Sequence, residues 1–216
     1  MEIIAGTTDF LLKKETAVAI GKFDGVHIGH RRLLEEILEK KKEGLEACVF
    51  TFDPSPASLF GIGDGKELTV REEKRVLLER MGVDILVEYP LDFQSAAILP
   101  QDFVTEILFR QMSVRFVAAG EDLSFGSKGQ GNASLLLRMG KEIGFQVRTI
   151  RKICVDEREV ISTLVREYVT NGDMAAVERL LGIPYPIMGK LDSFGKTKTL
   201  WYLSTSAKKL LPPLGS

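Results

Sequence analysis

Two histidines, the only two among 216 residues, stand three apart in the stretch Gly21-Lys22-Phe23-Asp24-Gly25-Val26-His27-Ile28-Gly29-His30. An imidazole offers an N–H donor at neutral pH. The interspersed glycines carry no side chain to keep a ligand away from the backbone amides. Paired donors beside bare amides suit phosphate oxygens whose charge grows during reaction, so the chemistry is phosphoryl or nucleotidyl transfer without a covalent intermediate. A second set, Ser162, Thr163 and Arg166, places two hydroxyls one turn before a planar fork of donors, the composition of a clamp for a polyphosphate. The same residues could also serve only as helix caps and a tight turn. Their place among the elements decides between the two.

Ala17-Val18-Ala19-Ile20 is an apolar run of the buried-strand kind, and Arg31 to Glu43 repeats apolar residues at helical spacing through Leu33, Leu34, Ile37 and Leu38. The histidine turn therefore joins a strand to a helix, whose first amides and dipole favour an anion. Strand and helix then alternate. Glu46 to Phe52 reads as a strand stopped by Asp53-Pro54-Ser55-Pro56. Thr69 to Glu72 matches a capping box for a helix running to Met81, and Asp84 to Glu88 is a strand. Pro100-Gln101-Asp102 opens a helix, Val114 to Ala119 is a strand, and Asn132 begins another helix. Phe145 to Val155 reads as the last strand, followed by helices from about Ser162 and Asp173. The alternation predicts an α/β fold, a parallel sheet with helices on both faces.

With 44% hydrophobic residues and a net charge of -1, the composition is that of a globular chain and carries no basic footprint for nucleic acid. No apolar run reaches the roughly 20 residues of a membrane span, so no membrane partner is expected and the expected place is the cytoplasm. Cys48 and Cys154 each fall in a strand-like run and are expected to be buried free thiols. The sequence names no metal ligands.

The longer form Gly-x-Phe-Asp-Gly-x-His-x-Gly-His resembles the signature of the nucleotidylyltransferase superfamily in its FAD synthetase branch, the FMN adenylyltransferase module of bacterial bifunctional riboflavin kinase/FAD synthetases. Phe52-x-Pro54-x-Pro56 is similar to the family segment on the flavin side of the site. Gly120-Glu121-Asp122-Leu123-Ser124-Phe125-Gly126 resembles its Gly-x-Asp-Phe-x-Phe-Gly loop, with Leu123 in place of an aromatic residue. Ile161-Ser162-Thr163-Leu164-Val165-Arg166 resembles Ser-Ser-Thr-x-x-Arg, with Ile161 in place of the first serine. The resemblance covers residues 15 to 186.

It implies a Rossmann-like nucleotidylyltransferase fold and transfer of AMP from ATP to FMN, giving FAD and pyrophosphate, with Mg²⁺. His27, His30, Ser162, Thr163 and Arg166 would be catalytic. Gly21, Phe23, Asp24, Gly29, Gly120, Asp122, Phe125 and Gly126 would bind ATP, and Phe52, Pro54 and Pro56 the flavin. Two rivals share parts of this pattern: another small-molecule nucleotidylyltransferase, and a flavin- or nucleotide-binding paralogue without turnover. Residues 1–186 are expected to form the adenylyltransferase domain, and 187–216 a remnant or truncated start of a riboflavin kinase module. The kinase Pro-Thr-Ala-Asn motif is absent from the tail. The chain is therefore expected not to phosphorylate riboflavin, and a separate riboflavin kinase would supply FMN. The tail itself would pack as a short strand or two, with Trp201 and Tyr202 burying aromatic surface, or stay partly mobile.

Overall fold

A strand that is apolar on both sides must be covered on both sides, and this chain covers its sheet with alternating helices. The computed structural model describes residues 1–194 and 200–215. The main sheet holds β1 (Glu2–Ala5), β2 (Thr16–Ile20), β3 (Glu46–Asp53), β4 (Ile85–Pro90) and β5 (Val114–Gly120). After a small hairpin of β6 (Ser124–Phe125) and β7 (Gly131–Asn132), it ends with β8 (Gln146–Ile150). The spatial order is β1-β4-β3-β2-β5-β8, with every neighbouring pair parallel. The helices are α1 (Ile28–Glu39), α2 (Pro56–Leu59), α3 (Arg71–Arg80), α4 (Pro100–Asp102), α5 (Ala133–Ile143), α6 (Ser162–Asn171) and α7 (Met174–Leu181). The expected Rossmann-like α/β fold is the one observed.

The pleat of β2 explains the two cores. Val18 and Ile20 point to one face, where Phe103, Ile107, Leu108 and Leu136 cover them. Ala17 and Ala19 point to the other, against Leu33, Leu34 and Ile37 of α1 and Leu78 of α3. Small residues on the α1 face let that helix approach closely, which fixes the height of the turn feeding it. A third cluster, with Leu68, Leu164, Val165, Val169, Val177 and Leu181, packs α6 and α7 beside the same turn.

Four local expectations are corrected. Beyond α4 the chain runs on as a wider-turned helix, Phe103–Gln111, in which Met112 N–H donates to the Ile107 carbonyl at 3.0 Å, an i→i+5 bond. The last sheet strand stops at Ile150, and residues up to Glu159 fold instead as a hairpin of β9 (Cys154–Val155) and β10 (Arg158–Glu159). Asp156 and Glu157, with φ of 50° and 61°, make the left-handed turn that such two-residue hairpins need. Cys154 is consequently exposed while Cys48 is buried. The cap of α3 is shifted by one: Val70 is the N-cap residue and Glu73 accepts its N–H at 3.2 Å, because Thr69 is taken up by the histidine turn.

In the tail, β11 (Gly189–Phe194) and β12 (Leu200–Thr205) form an antiparallel hairpin. Trp201 is 60% exposed, against the expectation that it buries its ring, and the side chain of Tyr202 lies outside the described residues. No helix among the described residues is long and apolar enough to cross a membrane.

Candidate functional site

From β2 the chain moves outward to β3 and β4, then crosses back to β5 and β8 on the other side. Loops leaving the carboxyl ends of β2 and β5 therefore diverge, and a crevice opens between them. The histidine turn leaves β2 there and the Gly120–Gly131 loop leaves β5. Between them lies a cavity of about 690 Å³, large enough for a cofactor-sized ligand.

The turn is tightly wound. Phe23 and Val26 have φ of 49° and 44°, a left-handed conformation that a β-branched residue enters only under constraint, and Gly25 between them sits at 88°. The constraint is visible. Phe23 is fully enclosed, Gly25 N–H donates to Thr69 Oγ1 at 2.9 Å, and Lys74 Nζ donates to the Lys22 carbonyl at 3.0 Å. His27 then caps α1, its Nδ1 accepting the His30 N–H at 3.3 Å. That bond leaves the proton of the neutral ring on Nε2. The rings of His27 and His30 stack with centroids 3.8 Å apart, and His30 lies 5.0 Å from the Phe23 ring. A Cβ at position 29 would come within 3.1 Å of the His27 ring, so glycine is what admits the stack.

Both imidazoles are held neutral. Burial pushes His27 down to about 4, with nearby Asp24 opposing. Burial, His27 and Lys74 push His30 well below the ordinary imidazole range. His30 Nδ1 is enclosed with no hydrogen-bond partner. A site with an unspent imidazole and bare helix amides can accept a polyphosphate, whose charge would draw protons onto the rings.

Of the residues picked out in the sequence, Gly21, His27, Gly29, His30, Gly120, Asp122, Phe125, Gly126, Ser162, Phe52 and Pro56 line the cavity. Phe23, Asp24, Pro54, Thr163 and Arg166 do not. Phe23 is core, while Pro54 and Thr163 are exposed beside the cavity. Asp24 is a hub beneath the wall. Its carbonyl accepts Ser162 Oγ at 2.8 Å, its Oδ1 the Thr69 N–H at 3.1 Å, and its Oδ2 Arg166 at 2.7 Å. Arg166 also donates to the Lys66 carbonyl at 2.6 Å. The structure thus joins Ser162 and Arg166 to the histidine turn through Asp24, and turns the guanidinium toward Asp24 and Lys66.

Much of the cavity wall is aromatic, with Phe50, Phe52, Phe60, Tyr89, Phe103 and Phe125 lining it. Phe50 and Tyr89 stand at the carboxyl ends of β3 and β4, so the switch-point rule applied to every strand would have found them. Lys74, whose ammonium is destabilised by burial under the turn, gave no signal in the sequence. Arg151 and Lys152 on the rim follow the end of β8. Among the described residues no group of three or more His, Cys, Asp or Glu could hold a metal ion.

The model of the family described as FAD synthetase matches residues 11–164. The chain is 35% identical over 185 residues to the bifunctional riboflavin kinase/FMN adenylyltransferase of Escherichia coli, a match covering 83% of this chain and 59% of that protein. It is 31% identical over 182 residues to a FAD synthetase of Listeria monocytogenes, covering 83% of this chain and 74% of the relative. The chain thus spans about three fifths of the length of the bifunctional relative. Among solved structures, one named a macrolide-efflux protein, from Streptococcus pneumoniae, superposes with a TM-score of 0.83 at 23% identity, over 97% of this chain and 70% of that one. That likeness carries the fold.

Proposed function

The chain belongs to the FAD synthetase family, and from that premise we propose that it transfers AMP from ATP to FMN, giving FAD and pyrophosphate. The observation that carries this reading is one cavity lined by two unlike sets of groups: aromatic rings fit for an isoalloxazine, and a histidine turn fit for phosphates. Flat aromatic walls suit stacking of a tricyclic ring, which a flexible acceptor such as phosphopantetheine lacks.

In this reading an FMN phosphate oxygen attacks the α-phosphorus of ATP. The new P–O bond forms as the bond to the β-phosphate bridging oxygen breaks, and pyrophosphate carries away both electrons. The attacking phosphate is already ionised, so no general base is needed, and catalysis reduces to positioning and stabilisation of charge. His27 donates through Nε2 to the phosphates, His30 beside it, and Ser162, Thr163 and the amides of α6 receive the leaving pyrophosphate. Arg166 joins them by exchanging Asp24 for phosphate. Gly21, Gly29, Gly120, Asp122, Phe125 and Gly126 wrap the nucleotide, and Phe52 and Pro56 meet the flavin. Phe23, Asp24 and Pro54 act from behind the wall. Mg²⁺ enters as the ATP complex and so belongs to the substrate. Residues 1–186 form the adenylyltransferase domain, and 187–216 are a remnant or the truncated start of a riboflavin kinase module. The thiols of Cys48 and Cys154, both free, suit the reducing cytoplasm.

The test is pyrophosphate release from ATP and Mg²⁺ with FMN, riboflavin or phosphopantetheine as acceptor. FMN alone should support turnover, with FAD as product. Release with phosphopantetheine but not FMN would overturn the reading.

A further inference from the structure

The segment after β12 returns to the nucleotide domain. It lies along residues 66–70, the connection that enters α3. Glu67 N–H donates to the Lys208 carbonyl at 2.7 Å, and Leu210 N–H to the Glu67 carbonyl at 2.9 Å. Between these bonds Lys209 turns inward, and its side chain and that of Glu73 are both wholly enclosed. Its Nζ donates to the Leu68 carbonyl at 2.6 Å, to Glu73 Oε2 at 2.7 Å and to the Pro186 carbonyl at 2.7 Å, and stands 4.1 Å from the Tyr185 ring centroid. An ammonium has three donors, and all three are used. Glu73 Oε1 accepts the Met188 N–H at 2.8 Å, and the Tyr185 hydroxyl lies between the carbonyls of Leu68 at 3.1 Å and Leu210 at 2.9 Å.

The opposite edge of residues 66–69 holds the site. Thr69 grips Gly25 and Asp24 through its hydroxyl and its N–H, and the Lys66 carbonyl accepts Arg166. One stretch of four residues is thus fixed by the tail on one side and fixes the histidine turn on the other. A buried ammonium is an expensive way to fill space, and an apolar side chain of like volume would pack as well at less cost. What the ammonium adds is direction, since it ties three acceptors from three separate segments to one point.

We propose that Lys209 is a positioning residue of the nucleotidyl-transfer site. By fixing the Leu68 carbonyl and the first turn of α3 it sets Thr69, and through Thr69 it sets Asp24, Gly25 and the aim of His27 and His30. The tail, whatever its origin, is then a working part of the site. Only the activity arm of the test rests on the FMN reading.

The test compares the full chain with Lys209→Met and with the double variant Lys209→Met/Glu73→Gln, which leaves no unpaired carboxylate and so preserves the fold. NMR hydrogen exchange should be about tenfold or more faster at the Gly25 and Thr69 amides in both variants, the loss expected for charged hydrogen bonds, and unchanged in β2. With FMN, kcat should fall about tenfold while KM for FMN stays within about twofold. Tyr185→Phe, which takes one hydroxyl from the same carbonyl, should show the same pattern at about threefold. The proposal is overturned if Gly25 and Thr69 exchange at the parent rate in the folded variants, or if the variants melt lower yet keep the parent kcat. Should the parent form no FAD, that result counts against the FMN reading, and the exchange rates alone decide the role of Lys209.

Discussion

The chain encloses two pairs of ionisable side chains on either side of Thr69 and treats them oppositely. Lys209 and Glu73 are closed: the ammonium has three acceptors, and both carboxylate oxygens have donors. His27 and His30 are open. Their rings stack on each other, His30 Nδ1 has no partner, and both are kept neutral by burial. Desolvating a polar group costs free energy unless its bonds are replaced, so the open pair is a standing debt that a ligand would discharge. The closed pair gains nothing from a ligand and loses much from any one-sided change. In these two pairs, polar burial reads as structure where every bond is made, and as a site where an unpartnered nitrogen faces a cavity.

The contrast breaks first at the closed pair. Lys209→Ala leaves a buried carboxylate without its cation and should cost about 3 to 5 kcal/mol in urea unfolding. Adding Glu73→Leu to it should recover a good part of that loss. A single variant within about 1 kcal/mol of the parent would mean that water already shares the pair.

At the open pair the effects should fall on turnover. His30→Ala removes a preorganised donor and should lower FAD formation by about 10² to 10³, while the unfolding midpoint stays level or rises because a desolvated nitrogen is gone. An early-melting variant whose folded fraction works at the parent rate would make His30 a core residue.

The pH dependence of stability sharpens the same point. His27 has a folded pKa of about 4 against 6.5 for the free group. The unfolded chain therefore takes up a proton first as pH falls. Stability is full above pH 6.5, declines between 6.5 and 4, and levels off below, for a total of at most about 3 kcal/mol. His30 acts in the same direction. Chemical denaturation at pH 7, 5.5 and 4.5 should show this slope, and His27→Ala should flatten much of it. Saturating ATP should flatten it too, since phosphate favours the protonated rings. An unchanged slope in His27→Ala would show that carboxylates dominate the window.

How far these features were legible follows from how local their causes are. The strand, turn and helix around His27 can be read because a short continuous apolar run gives way to helical spacing across the ten residues that also hold both histidines. The switch point followed from the alternation of elements. β1 is a short and largely exposed edge strand and left no pattern. The wider turns of Phe103–Gln111 keep an ordinary helical spacing of apolar residues, so nothing in the spacing announces them. The sequence puts the cap of α3 one residue early because Thr69 looks like an N-cap residue, and only the fold shows that Gly25 and Asp24 claim it. Lys209 meets Glu73 across 136 positions, a pairing that no local pattern encodes.

A third place tests the contrast at smaller scale. The first turn of α6 opens on the cavity, and its N-cap residue, Ile161, has no side-chain oxygen to receive an N–H. The Ile161 carbonyl accepts the Leu164 and Val165 amides, which leaves the amides of Ser162 and Thr163 for a ligand or for a capping hydroxyl. Ile161→Ser and Ile161→Ala lose the same apolar contact, so the difference between them isolates the cap. Without nucleotide, the serine variant should be about 1 kcal/mol more stable than the alanine variant. Under the proposed function ATP phosphates occupy those same amides, so saturating ATP should narrow the gap. A gap of the same size with and without ATP would remove the start of α6 from the phosphate site and leave the histidine turn as its only anion-binding helix end. The absence of any gap without ATP would show that the two amides are already satisfied, and that this end of the cavity, like the pair at Lys209, is closed.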